Sequence, residues 1–131
     1  EPNYLTRLLE LAAKKVEPGA YLIAETPNPT MLSTLSNSFY LDLSHIKPVH
    51  PETMKFLMEY YGFESVEIRY SESSKIPYSL ALLEAGEAQI PNIRKFNEGI
   101  NLLNELLFGY QDYIIIGRKS AAAGQAGGVE R

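Results

Sequence analysis

The chain has no cysteine. Disulfides, thiolate zinc sites, iron–sulfur clusters and a cysteine nucleophile are therefore excluded, and a reducing, cytoplasmic setting fits. It has only two histidines, His45 and His50, so a three-histidine metal site is excluded as well. Basic residues are few: 12 Lys and Arg stand against 16 Asp and Glu, for a net charge of -4. A protein that grips phosphate backbones carries a basic excess, so nucleic acid is not an expected partner. No apolar run approaches the ~20 residues that span a bilayer, so no membrane span is expected. No basic-then-apolar leader opens the chain. No Gly-x-Ser-x-Gly elbow and no His-Glu-x-x-His segment occur. The nearest thing to a glycine-rich phosphate loop is Gly124 to Gly128, and no strand precedes it.

What is present is globular in character. The 131 residues are 45% hydrophobic and 21% charged, enough for one compact domain. The chain opens with Glu1 and Pro2, without Met, directly beside a helical pattern. It reads as a segment of something longer.

The spacing of Leu5, Leu8, Leu9, Ala12 and Val16 predicts a helix from Asn3 to about Val16 with one buried stripe. Pro18 and Gly19 then turn the chain. Ala20 to Thr26 is nearly continuous in apolar residues, as in a strand buried on both faces of a parallel sheet. Pro27 to Pro51 is a long polar connection with a short helix expected near Met31–Leu35. A second helix is predicted from Pro51 to Tyr61, burying Met54, Leu57, Met58 and Tyr61, with Gly62 as its left-handed end. Glu64 to Tyr70 alternates like a half-buried strand. A helical turn is expected around Tyr78–Leu83. A third helix is predicted from Pro91 to Phe108, with Ile93, Phe96, Ile100, Leu103 and Leu107 on its buried face. Gln111 to Gly117 is the last strand. Residues 1–119 form the domain, and the Ala/Gly-rich stretch 120–131 is expected to be a flexible tail.

Three clusters could carry chemistry. The loop from Tyr40 to Glu52 holds both histidines, Asp42 and Lys47. Histidine is the usual base near neutral pH, and an aspartate can orient it. The bland alternative is a loop that bonds its own backbone, with His50 capping the helix that Pro51 opens. A metal held by Asp42, His45 and His50 is a further alternative. The second cluster, Glu25 to Pro29, follows a strand end, where ligands bind in open α/β sheets. Its alternative is a turn in which Glu25 and Asn28 bond nearby backbone. The third, Phe108 to Tyr113, is either a helix stop or the wall of a site that includes Tyr110.

Several of these residues carry a resemblance. Val16, Glu17, Pro18 and Gly19 lie between a helix and a strand, and Glu25 to Pro29 follow that strand. This order resembles the later half of class I S-adenosylmethionine-dependent methyltransferases, with Ala20 where a second Gly is usual. Asp42, His45, Pro48, His50, Pro51, Glu52 and Thr53 are similar to a "DPTHxxPxHPET" segment of a bacterial and archaeal subgroup; Leu43 and Ser44 depart from it. Asn104 to Tyr113 looks like that subgroup's "LNxxLFGPQDYAxI" ending, with Tyr110 in place of Pro. Members are often associated with polysaccharide or lipopolysaccharide biosynthesis. The resemblance runs from about Tyr4 to Lys119.

It implies an α/β fold, the C-terminal part of a Rossmann-like sheet, with about three strands and three main helices. The last strand is antiparallel and lies beside the first. It implies S-adenosylmethionine as cofactor, with most cofactor-binding residues upstream of Glu1. What remains is the acceptor side, expected to be inactive alone. The acceptor is a small molecule or glycan, methylated on oxygen. His45 or His50 is the expected base and Asp42 its orienting partner. Glu25, Asn28, Tyr40, Lys47 and Tyr110 are expected to line the acceptor site, and no metal is needed. The first strand is expected to present an open edge that pairs with another chain, as in a homo-oligomer. Two other readings stand beside this one. One is an interaction module or degenerate methyltransferase partner. The other is a sugar-binding domain using Tyr40, Tyr60, Tyr61 and Tyr110.

Overall fold

The computed structural model describes residues 4–84, 86 and 91–121. The elements are α1 (Tyr4–Lys15), β1 (Tyr21–Pro27), α2 (Leu32–Ser36), α3 (Pro51–Tyr60), β2 (Phe63–Tyr70), α4 (Ile93–Phe108) and β3 (Asp112–Lys119), with 3-10 turns at Ser38–Leu41 and Glu72–Ser74. The strands form one sheet in the order β1-β3-β2. Lys119 N–H donates to the Ala20 carbonyl and Asn28 N–H to the Gln111 carbonyl, each at 2.7 Å, so β3 runs antiparallel to β1. Gln111 N–H reaches the Ser74 carbonyl and Ser120 N–H the Gly62 carbonyl, each at 3.0 Å, so β3 is antiparallel to β2 as well. The last strand thus lies beside the first, as the resemblance implies. Most of the expected tail, residues 122–131, lies outside the described residues.

The chain divides into two compact units. The first takes its described residues from 1–25, 51–69 and 114–131. Its core is Leu9 from α1, Met54 and Met58 from α3, Phe63 and Val66 from β2, and Ile115 from β3. Gly62 ends α3 with φ +86°, the left-handed stop expected there. Lys119 is buried; its Nζ donates to the Tyr61 carbonyl at 3.3 Å and lies 5.3 Å from the Phe63 ring centre. A cation thereby meets the negative end of α3.

Two burial expectations fail in this unit. Of the α1 stripe only Leu9 is buried, and Leu8 is 61% exposed. β1 is not buried on both faces: Tyr21 and Ile23 are each more than 60% exposed, while Leu22 and Ala24 are half-buried. The faces carrying Leu8, Tyr21 and Ile23 have no described element over them. A continuous apolar run does not reveal which face is covered.

The second unit takes residues 26–50 and 70–113. Among the described residues, Phe39, Tyr113, Asn28 and Thr34 are its buried side chains. The half-buried stripe of α4 is Ile93, Asn97, Ile100, Asn104 and Leu107. Phe96 and Leu103, expected on that face, are 49% and 43% exposed. The displaced positions belong to asparagines that bond backbone. Asn97 bonds both Leu83 N–H and Leu83 carbonyl, each at 2.9 Å. The stretch around Tyr78–Leu83 forms no helix or strand, so the expected helical turn is absent there.

Candidate functional site

The loop between α2 and α3 belongs to the second unit. Asp42 Oδ1 accepts the Ser44 N–H at 2.8 Å and the Ser44 hydroxyl at 2.7 Å. These bonds to Ser44, and then the nearby His45, hold the Asp42 carboxyl below its ordinary value. His45 Nδ1 lies 3.0 Å from the Phe39 carbonyl oxygen. A carbonyl can only accept, so Nδ1 carries the proton and the neutral ring has its lone pair on Nε2. Nε2 lies 3.7 Å from Asp42 Oδ2, and the ring stacks on Phe39 with centres 5.0 Å apart.

Asp42 and His45 are therefore brought together, but not in the expected arrangement. The Phe39 carbonyl orients the ring, and Asp42 stands at the nitrogen that would take a proton. His45 lines a cavity of about 400 Å³ with Ser33, Ser38, Gln111 and Asp112. His50, Lys47 and Tyr40 are exposed and line neither this cavity nor the larger one described below. Among the described residues no three His, Asp or Glu side chains are placed to hold a metal ion.

A larger cavity, about 580 Å³, is lined by residues of the second unit alone. Asn28 and Tyr110 meet at its wall. Asn28 Nδ2 donates to the Tyr110 carbonyl at 3.0 Å. Asn28 Oδ1 accepts the Thr30 N–H at 3.1 Å and the Thr30 hydroxyl at 2.7 Å, which is the turn expected of it. The Tyr110 ring stacks on Tyr70 at 5.4 Å, and Lys75 Nζ lies 5.4 Å from its centre. Its hydroxyl donates to the Glu72 carboxylate, and this bond holds the phenol above its ordinary value. Glu25 belongs to the first unit and lines neither cavity.

Sequence reasoning passed over Tyr70, Lys75 and Asn101, all at the larger cavity. It also missed the centre of the bonding network. Gln111 Oε1 accepts the hydroxyls of Ser33 and Thr34, each at 2.9 Å, and Gln111 Nε2 donates to the Gly109 carbonyl at 2.8 Å. Gln111 lies in the third sequence cluster, but Ser33 is 78 residues away, so residue type gives no signal of this pairing. Tyr60 and Tyr61 lie in the first unit, whereas Tyr40 and Tyr110 lie in the second.

No protein-family profile matches this chain, and no curated protein does. Among solved structures it is similar to a SAM-dependent methyltransferase from Archaeoglobus fulgidus, with 44% identity and a TM-score of 0.78. The match covers 91% of this chain and 53% of that one, so the chain spans about half the length of the protein it resembles. Its α/β fold, with β3 set between β1 and β2, matches a part of that methyltransferase's fold.

Proposed function

We propose that this chain is the acceptor-side part of an S-adenosylmethionine-dependent methyltransferase that methylates an oxygen of a small molecule or glycan. The observation that carries the reading is the 44% identity to a SAM-dependent methyltransferase over 91% of the chain. The sheet order and the antiparallel last strand support it.

This reading places the cofactor cradle outside the described residues. The left-handed glycines, Gly19 and Gly62, precede β1 and β2. Cofactor loops in α/β sheets follow the carboxyl ends of strands. The reading therefore assigns cofactor binding to residues outside this chain and expects the chain alone to be inactive.

This chain's part is to bind and orient the acceptor and to hold its proton. His45 suits the proton, because Nδ1–H is tied to the Phe39 carbonyl and Nε2 is left to accept. Asp42, 3.7 Å from Nε2, stabilises the imidazolium once it forms.

Calorimetric titration with S-adenosylmethionine tests the reading. This chain is compared with a protein in which the cofactor-binding half implied by the resemblance precedes it. Binding only by the longer protein is expected. Binding by neither overturns the methyltransferase reading. Binding by this chain alone overturns the placement of the cofactor. In the longer protein, His45→Ala is expected to lower turnover by about 100-fold or more, with His50→Ala close to unchanged. The reverse pattern removes His45 from the role.

The edge of β1 supports pairing with another strand. Of the two edges of the sheet, β2 carries Glu64, Glu67, Arg69 and a left-handed Ser65 at φ +51°, features that discourage pairing. β1 carries Tyr21 and Ile23 exposed and only Glu25 as a charge. A homo-oligomer through this edge is expected to dissociate on Ile23→Lys, read by analytical ultracentrifugation.

A further inference from the structure

We infer that the cavity of about 580 Å³ in the second unit is a hexose subsite, with Asn101 reading the sugar hydroxyls and Tyr78 stacking on the ring. As an acceptor subsite it rests on the methyltransferase reading; as a binding site it stands on the cavity's own chemistry.

Charge decides against most alternatives. Among the described residues, the lining has one cation, Lys75, and one anion, Glu105. A phosphate or other strong anion calls for several charged or backbone donors, and here the charges cancel. The wall is not a hydrocarbon slot either, since Thr30, Ser79 and Asn101 share it with Met31 and Phe108. Apolar walls with a few polar groups suit a neutral ligand that is itself part apolar and part polar.

Availability of the polar groups points to Asn101. The other two asparagines of the lining are committed. Asn28 is bonded to Tyr110 and Thr30, and Asn104 to both backbone groups of Leu80. Asn101 stands between Asn97 and Asn104 on α4, yet its amide makes no hydrogen bond to a described residue. One amide supplies two donors and an acceptor in one plane. Neighbouring sugar hydroxyls, each able to donate and accept, match that set.

Ring contacts point to Tyr78. The Tyr110 ring is already occupied by Tyr70 and Lys75. Tyr78 is 72% exposed and stacks on no described ring. A pyranose has C–H hydrogens on its faces and hydroxyls around its edge. The electron-rich face of tyrosine favours such hydrogens. The polar groups also come from separate segments: the turn after β1, the stretch that includes Ser79, and α4. Hydroxyls radiating from a puckered ring can meet them, whereas a flat nucleobase has its polar atoms in one plane.

The test is nuclear magnetic resonance titration of the isotopically labelled chain. The probes are methyl α-D-glucopyranoside, methyl α-D-mannopyranoside, methyl β-D-galactopyranoside and, for contrast, adenosine. Saturable shifts at the Asn101 side-chain amide and the Tyr78 ring are expected with at least one glycoside. Asn101→Ala and Tyr78→Ala are each expected to weaken that binding about tenfold. Glu98→Gln, on α4 but outside the cavity, is expected to leave it unchanged. No saturable response to any glycoside, or a tighter response to adenosine at these residues, overturns the inference.

The two readings fail separately. If the longer protein binds S-adenosylmethionine and Asn101→Ala leaves its methyl transfer unchanged, the subsite is overturned and the methyltransferase reading stands. If this chain binds a glycoside as described but the longer protein takes up no S-adenosylmethionine, the methyltransferase reading falls and the sugar site stands.

Discussion

The side-chain amide of Asn104 takes both backbone groups of Leu80: Leu80 N–H donates to Oδ1 at 2.6 Å, and Nδ2 donates to the Leu80 carbonyl at 3.0 Å. Asn97, two helical turns earlier on α4, holds Leu83 in the same way. An irregular segment is thus paired to a helix through side chains rather than through a sheet. Asn97→Ala and Asn104→Ala are each expected to lower stability by about 1 kcal/mol. The sharper readout is amide hydrogen exchange, where Leu83 should speed up in the first variant and Leu80 in the second. Unchanged exchange at both would show that these bonds do not restrain the segment.

The Gln111 side chain carries three hydrogen bonds of the second unit, as many as Asn28. Gln111→Leu removes acceptors from Ser33 and Thr34 and a donor from the Gly109 carbonyl. Leaving such groups unpaired costs about 1–3 kcal/mol. A lower urea midpoint at unchanged slope is expected. Gln111→Glu keeps the acceptor for the two hydroxyls and should lose less. Equal losses in the two variants would mean that the hydroxyl bonds contribute nothing.

These two cases show where reading the sequence stopped. Regular apolar spacing marks α1, α3, α4 and β2, and short apolar runs mark β1 and β3. On α4 it placed Ile93, Ile100 and Leu107 on the covered face but misplaced two positions. Phe96 and Leu103 were expected inward on hydrophobicity, but Asn97 and Asn104 sit there. Their bonds to Leu80 and Leu83 satisfy backbone groups that no apolar side chain could satisfy. On β1 the apolar run was visible, but its covering was not, since the partner of a face lies elsewhere in the sequence. At the candidate site, the polar loop exposed Asp42 and His45 as a pair. That the Phe39 carbonyl rather than Asp42 orients the imidazole depends on backbone placement, which residue type does not encode.

Gly117 lies where β3 crosses the core of the first unit. A Cβ built there would stand 2.7 Å from Met58 Cε, 3.1 Å from Phe63 Cβ and 3.3 Å from Val66 Cγ2. Gly117→Ala is therefore expected to destabilise by about 1–3 kcal/mol through overpacking. The tightest contact is the end of a flexible side chain. Met58→Leu, which withdraws that terminal methyl, should recover part of the loss when combined with Gly117→Ala. Additive losses in the double variant would place the strain at Phe63 and Val66 instead.

Tyr113 links burial to alkaline pH. Its ring is fully buried and its hydroxyl donates to the Val49 carbonyl at 2.9 Å. Burial, and then the neighbouring Tyr70, pushes the phenol up from 10 to about 12. Since the folded value is above the unfolded one, the folded chain keeps a proton that the unfolded chain releases between these two pH values. Stability from this group is therefore complete below pH 10 and declines from there towards pH 12. The slope is at most about 1.4 kcal/mol per pH unit. Tyr113→Phe removes the ionisable group and the bond to Val49 together. It should be less stable than the parent near neutrality by about 1 kcal/mol, and it should lack the alkaline decline. The two stability curves then converge as pH rises. An equally steep decline in the phenylalanine variant would assign the alkaline transition to a different group and leave Tyr113 with a packing role alone.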